Sequence, residues 1–270
     1  MSVVYRLSAY VTDPYFPAAP NYAPGTWFTE WLMEESPEQA RYTASLNLFY
    51  IDQEKSPFPD TYVFVPALRR SLRLANTARC SPLFGFDWTY DDAKTNGFNG
   101  STSIYTGDWL GDRKILTLAH FNKDGWDFPD GYLMPLGFPK PSWGKWEVRE
   151  HAIDDVHRIS SEAAGYCYSS RIIYADKEHW ESNWVDLFDS NRKLWKSISY
   201  YNDAGNVPGL GDAWDGVASM AIDFQNQHET IWSGFGNPKK IGPYVGHDIP
   251  KEYMDGVKYG SPSGLSEILR

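Results

Sequence analysis

Hydrophobic and polar positions are most clearly ordered between Ser169 and Tyr201. Three runs rich in β-branched and aromatic residues, Arg171–Asp176, Asn183–Asp189 and Lys193–Tyr201, are separated by the polar breaks Lys177–Ser182 and Ser190–Arg192. Such spacing predicts a three-stranded antiparallel meander. In the third run Leu194, Ile198 and Tyr200 share a side with Lys196, while Trp195 and Tyr201 share the other with Ser197 and Ser199. Both faces therefore carry apolar groups, and each needs a covering: packing on one side, packing or a cavity on the other.

The same reading extends along the chain. Val3–Val11 is a predicted strand, ended by the proline-rich loop Pro14–Pro24 because proline cannot donate to a ladder. Trp27–Met33 suits a strand or a short helix. Ala40–Ile51 alternates strictly, with Tyr42, Ala44, Leu46, Leu48 and Tyr50 on one face. Thr61–Val65 follows, then Leu68–Leu74 beyond Pro66, with Arg70 on the leucine face. An arginine among leucines calls for an acidic partner, and FDWTYDD offers Asp87, Asp91 and Asp92. Thr89–Asn96 suits a short helix; Ser101–Trp109 and Asp112–Ala119 read as a hairpin about Leu110-Gly111. His120–Trp143 has no period and reads as a lid or rim. Trp146–Ile159 resumes as a strand, Asn202–Gly216 reads as a glycine-rich loop, Val217–Phe224 as a strand, and Ser261–Arg270 as a capped helical turn. Nine to eleven antiparallel strands with few short helices are expected, in a single domain over residues 1–270.

Charge and composition narrow the functions. A net charge of −10, with no basic stripe, argues against a nucleic-acid partner. No apolar run is long enough for a transmembrane helix, and Met1–Val11 lacks a signal-peptide layout. Aromatic residues make up 16% of the chain, which fits carbohydrate platforms, hydrophobic-ligand cavities or a bulky β core. Cys80 and Cys167 are too distant for a CxxC motif. From spacing alone they are two thiols or one disulfide, the latter contributing up to about 4.5 kcal/mol by loop closure.

Catalytic and metal motifs are weak. His151, Asp155 and His157 share a face of the strand over Trp146–Ile159, but so does Ile153, and no HExxH occurs. There is no GxSxG or Walker motif, and adjacent carboxylates such as Asp154-Asp155 point to opposite faces of a strand. No enzyme, metal or cofactor is predicted.

Several of these segments together resemble a family. Pro66-Ala67-Leu68-Arg69-Arg70, Arg79-Cys80-Ser81-Pro82-Leu83-Phe84-Gly85-Phe86-Asp87 with Asp91-Asp92, Phe98-Asn99-Gly100, Arg171-Ile172-Ile173-Tyr174-Ala175-Asp176, and Asp186-Leu187-Phe188-Asp189 with Lys193-Leu194-Trp195 resemble the DUF1329 family of exported bacterial proteins. The resemblance implies a mainly β fold similar to the carriers LolA and LolB: a single strongly curved antiparallel sheet, an incomplete barrel, beneath a loop-rich lid. It also implies a periplasmic setting, an oxidised Cys80–Cys167 pair, a hydrophobic ligand and an association with RND-type exporters or outer-membrane proteins. Family members are typically longer at the N-terminus, so Met1 reads as an internal start that leaves out either early strands or the usual lid. No catalytic residues carry over. Arg70, Asp87, Asp91, Asp92, Tyr174, Asp176, Asp189 and Trp195 read as fold determinants, with aspartates fixing turns.

The favoured expectation is a non-enzymatic periplasmic carrier or chaperone for a lipid or other hydrophobic molecule. By strand phase the ligand-facing set begins with Tyr42, Leu46, Leu48, Phe64 and Ile104. Ile173, Val185, Leu187, Ile198, Met220 and Ile222 complete it. The alternatives are a carbohydrate-binding module using Trp126, Trp143 and Trp214, or a docking module of the cell envelope that uses a sheet edge or apolar rim.

Overall fold

The structure, a computed structural model, describes residues 2–8, 25–35, 38–75, 79–83, 85–92, 99–120, 130–135, 137–207, 211–233 and 255–267. The fold is mainly β, with antiparallel sheets that do not close into a barrel. Within the span expected to be one domain the chain divides into two compact units. One comprises Met1–Ala78, Gly100–Ser103 and Val245–Arg270, the other Arg79–Asn99 and Ile104–Tyr244.

The first unit holds a five-stranded sheet, in the order β1 (Ser2–Ser8), β2 (Thr26–Glu34), β3 (Ala44–Tyr50), β4 (Asp60–Val65), β5 (Arg70–Arg73). Alternation in β3 buries Ala44, Leu46 and Leu48, which pack with Trp31 of β2, Phe64 of β4, Tyr259 and Leu265. Leu265 comes from the short helix α1 (Pro262–Leu265), whose N-cap Ser261 Oγ accepts from Gly264 N at 3.1 Å. A side chain on Gly264 would overlap the carbonyls of Val257 and Lys258, so this tight return requires glycine.

Pro66 decides how β5 begins. The expected strand from Leu68 instead opens with a 3-10 turn, Pro66–Leu68, closed by Arg69 at φ 48°. Leu68 is left exposed and the strand starts one turn later, with Arg70 exposed at its first position. The pairing expected for Arg70 with Asp87, Asp91 or Asp92 is thus corrected: those aspartates have other partners, described below.

The second unit holds a seven-stranded sheet. Its order is β14 (His228–Ser233), β13 (Gly211–Asp223), β12 (Leu194–Val207), β11 (Ser182–Phe188), β10 (Ser170–Asp176), β9 (Lys145–Arg158), β6 (Tyr105–Ala119). The predicted meander is β10–β11–β12. Where one continuous sheet was expected, the ladder is in two pieces: β5 spans only four residues, and among the described residues no strand pairs with its outer edge.

Several elements differ from the sequence expectation. Leu110-Gly111 is a bulge within one long strand, β6, and no hairpin turn; all of β6 pairs with β9. Asn202–Gly216 is mostly ribbon, because β12 runs to Val207 and β13 starts at Gly211. β14 follows, in a region expected to be irregular. A two-stranded piece, β7 (Tyr132–Leu133) with β8 (Phe138–Pro139), lies inside the expected lid. In the expected helix Thr89–Asn96, Thr89–Asp92 forms a turn and the rest lies outside the described residues, as does Pro14–Pro24. Bulges at Tyr174/Ala175, Leu187/Phe188 and Tyr201/Asn202 bend the central strands.

Candidate functional site

The two faces of the seven-stranded sheet differ in chemistry, and register assigns residues to each. Ile198 of β12 pairs with Ala221 of β13, whereas Ser199 pairs with Met220 and Tyr201 with Ala218. Successive strand residues point to opposite faces. Ile198 and Ala221 accordingly join Ile173, Val185, Leu187, Trp88 and Tyr168 in one core. Met220, Ala218 and Tyr201 join Leu118, Tyr132 and Trp143 in another.

The first face is closed by the segment Arg79–Asp92. A disulfide between Cys80 and Cys167 staples it to the irregular segment leading into β10, and Cys167 N donates to Cys80 Sγ at 3.1 Å. Asp91, fully buried, accepts from Arg79 Nε at 2.7 Å, Arg158 Nη2 at 3.1 Å, Arg171 Nη2 at 3.2 Å and Tyr105 OH at 3.2 Å, and from Tyr166 OH. Burial alone would raise its pKa, but the guanidiniums of Arg171, Arg79 and Arg158 outweigh burial and hold it below the usual carboxylate range. Its neighbour Asp92 goes the other way: burial exceeds the pull of Arg171 and Lys196 and raises its pKa. Asp92 accepts from Thr89 N at 2.9 Å, Thr89 Oγ1 at 2.8 Å and Tyr168 OH at 2.6 Å. The Arg158 guanidinium stacks 3.6 Å from the Tyr166 ring centroid. Asp87 accepts from His228 Nδ1 at 2.8 Å and Thr230 Oγ1 at 2.6 Å, and its carbonyl accepts from Lys196 Nζ.

Side-chain bonds also fix the meander's turns. Asp176 accepts from Glu178 N at 2.8 Å and pairs with Arg149, and Asp189 accepts from Asn191 N at 2.8 Å and Lys193 N at 3.0 Å. Tyr174 OH donates to Asp186 at 2.9 Å, and Trp195 Nε1 to Asp223 at 2.9 Å. His151 is buried, with Nε2 2.7 Å from Asn183 Oδ1 and Nδ1 3.1 Å from Arg149 O.

The opposite face is built from aromatic and aliphatic surface. Tyr132 and Trp143 rings meet at 5.1 Å and Trp143 and Tyr201 at 5.6 Å, both edge to face. Phe138, Trp146, Ile222 and Ile231, all partly buried, pack around them. Among the described residues the covering elements are short: the β7–β8 pair and the 3-10 turn Pro141–Trp143. On the paired strands β6 and β9, Leu118 lies opposite Trp146 in this cluster, and the next pair on that side, Leu116 and Val148, is exposed at 54% and 64%. Leu133 and Met134, beside Tyr132, are exposed as well. Into this apolar setting β14 places one acid. Glu229 lies opposite Ile222 and two residues from Ile231. Burial first, then the charge of Asp87, pushes its carboxyl up to about 7. Its Oε1 is buried without a hydrogen-bond partner among the described residues.

The expected ligand-facing residues do not share one surface. Leu46, Leu48 and Phe64 lie in the core of the first unit. Tyr42, at φ 66°, sits in the turn before β3, half-buried and outside the strand alternation. Ile104 is buried in the 3-10 turn Thr102–Ile104. Ile173, Val185, Leu187 and Ile198 fill the closed face, and Met220 and Ile222 lie on the aromatic one. Of the tryptophans considered as sugar platforms, Trp143 is 1% exposed and Trp126 lies outside the described residues, as does the side chain of Trp214. Glu229 and Tyr132 were not singled out from sequence, and Tyr201 was placed only by its strand phase; for Glu229 the signal is the alternation His228-Glu229-Thr230-Ile231, too brief to mark a strand.

The sequence profile of the proteins of unknown function called DUF1329 matches residues 5–252. This chain belongs to the DUF1329 family. No curated protein matches it. Among solved structures, this DUF1329 chain is similar to one described as an outer membrane lipoprotein-sorting protein domain from Vibrio parahaemolyticus: TM-score 0.54, 15% identity, 86% of this chain and 80% of that one. A DUF1329 family protein from Desulfovibrio piger also matches, with TM-score 0.54, 13% identity, 76% of this chain and 68% of that one. A LolA superfamily protein from Nitrosomonas europaea is a looser likeness, at TM-score 0.44, 13% identity, 85% and 79% coverage. The likenesses to the Vibrio and Desulfovibrio structures show a shared fold. None of the described helices is long and apolar enough to cross a membrane.

Proposed function

We propose that this DUF1329 protein is a non-enzymatic carrier or chaperone that holds a lipid or other hydrophobic molecule against the aromatic face of its seven-stranded sheet. The observation that carries the reading is the contrast between faces. One is closed by charge pairing and a disulfide; the other presents aromatic and aliphatic groups beneath short covering elements, edged by exposed Leu116, Val148, Leu133 and Met134. Met220 and Ile222 are its members from the expected ligand set. The fold shared with the Vibrio lipoprotein-sorting domain points the same way. Each methylene removed from water contributes about 0.8 kcal/mol, so a sixteen-carbon chain offers roughly 12 kcal/mol gross, before ordering costs. No reacting group is needed.

The disulfide supports a periplasmic or outer-membrane setting, because such bonds persist in oxidising compartments. A handover to an exporter or outer-membrane protein would use β6, the edge strand that exposes Trp109, Leu110 and Leu116. Native mass spectrometry of freshly purified protein tests the carrier reading: a mass addition matching an acyl lipid is expected. Palmitate should displace a fluorescent apolar probe with a Kd of about 1 μM. Bare protein that takes up no probe would sink the proposal.

A further inference from the structure

The geometry points to Glu229 as a subsite for an organic ammonium group, so that the preferred cargo is an apolar chain ending in a positively charged amine. This rests on the carrier reading and adds the chemistry of the cargo's head. Three features meet there. The carboxylate is the acid that β14 turns toward the aromatic cluster, and its Oε1 is buried with no donor among the described residues. Gly137, at φ 72°, lies directly over it: any side chain at that position would overlap both carboxylate oxygens. Beside it stands Tyr201, whose phenol pKa is raised by burial first and then by the Glu229 charge, and whose ring meets Trp143 edge to face, as Trp143 in turn meets Tyr132.

Chemistry favours a cation in this place. An unpaired carboxylate in apolar surroundings carries a desolvation cost that a charged donor removes. Ring faces attract the same charge. A neutral or anionic head would leave the carboxylate unpaired or repelled. Because burial brings its titration to about 7, the subsite should be charged under mildly alkaline conditions and neutral in acid. The titratable groups that bear on it are Tyr201 of β12 on the aromatic side, which also feels Tyr132 of β7, with Asp87 and His228 on the other side of β14.

The test uses the whole chain and displacement of the uncharged probe N-phenylnaphthylamine by dodecylamine, lysophosphatidylethanolamine and lauric acid. At about pH 8 the ammonium ligands should displace the probe at roughly tenfold lower concentration than laurate, the worth of one charge-assisted hydrogen bond. Glu229→Gln should abolish that preference, by weakening displacement by the amines while laurate displaces at least as well as from wild type. At about pH 5.5 the wild-type preference should shrink toward the variant's. A preference for dodecylamine alone assigns free alkylammonium cargo; one for the lysolipid alone assigns a lipid headgroup. Glu229→Met, of similar length and apolar, replaces Glu229→Gln if that variant does not fold. The inference is overturned if laurate and amine displace equally, or if the preference survives in the variant, as it would if it came from the overall charge of −10. Displacement by laurate without amine preference removes the subsite but leaves the carrier; failure to bind the probe removes both.

Discussion

Two faces of one sheet, built on alternate residues of the same strands, have been finished in different ways. On the side of Ile198 and Ala221, Asp91 gathers three guanidiniums and two phenols, Asp92 takes two bonds from Thr89 and one from Tyr168, and Cys80–Cys167 ties the covering segment down. On the side of Met220 and Ala218, the acid is a carboxyl whose buried oxygen has no partner among the described residues, and the nearest apolar pair on β6 and β9 is open to water. A protein that needed the sheet only as scaffold would gain by closing both. The contrast teaches that rigidity and chemistry have been separated: one side holds the strands in place so that the other can remain adaptable.

The strongest way to break this contrast is to remove the charge at the centre of the closed face. Asp91→Ala leaves Arg79, Arg158 and Arg171 buried without their shared counter-ion, and about 5 kcal/mol should be lost. A urea midpoint shift of less than about 1 M, for a slope near 2 kcal/mol/M, would show that the network contributes little. Next comes the staple. Cys80→Ala with Cys167→Ala opens a loop spanning 87 residues of sequence separation and should cost about 2–4 kcal/mol in the same assay. Ligand uptake by molecules that remain folded should persist, because both cysteines lie on the face away from the aromatic cluster.

Truncations of the two cores sharpen the comparison at smaller scale. Leu187→Ala on the closed face empties a fully buried site and should cost about 3 kcal/mol. Ile222→Ala, partly buried on the aromatic face, should cost about 1 kcal/mol and yet weaken displacement of an apolar probe severalfold. If the Leu187 variant weakened uptake and the Ile222 variant did not, the faces would have been assigned the wrong roles.

What the sequence made legible was local. The meander, β3 and β9 declare themselves because strict alternation and polar breaks are features of contiguous residues, and the turn roles of Asp176 and Asp189 involve neighbours two to four positions away. Relative phase between strands was not legible. Ile198 and Met220 look alike as buried alternating residues, but the β12–β13 register sets Ile198 against Ala221 and so puts Met220 on the other side. The partners of Asp91 were hidden for the same reason. Arg158 and Arg171 lie 67 and 80 residues away and meet Asp91 only after the sheet has formed, whereas Arg70 was the nearest arginine on an apolar face. Glycines at 205, 209 and 211 suggested a loop; two of them, Gly205 and Gly211, are strand residues in a ribbon whose pairing overrides their weak local preference.

The finest probe of the contrast is the pH dependence that Glu229 confers. Its carboxyl titrates near 7 in the folded protein against 4.5 in the unfolded chain, so between these values the folded state holds the extra proton. The stability linked to this group is therefore fully present below about pH 4.5 and is lost as pH rises through 7. With solvent screening of a half-exposed carboxyl allowed for, the loss is on the order of 1 kcal/mol. Glu229→Gln cannot ionise, so it should match wild type in acid and exceed it by about that amount near pH 8 in urea midpoints taken along a pH series. Adding dodecylamine should close the gap from the wild-type side, because a bound cation stabilises the ionised carboxylate in the folded state alone. A difference between the two proteins that stayed constant across the series would mean that Glu229 does not sit in the partly buried apolar setting that distinguishes its face.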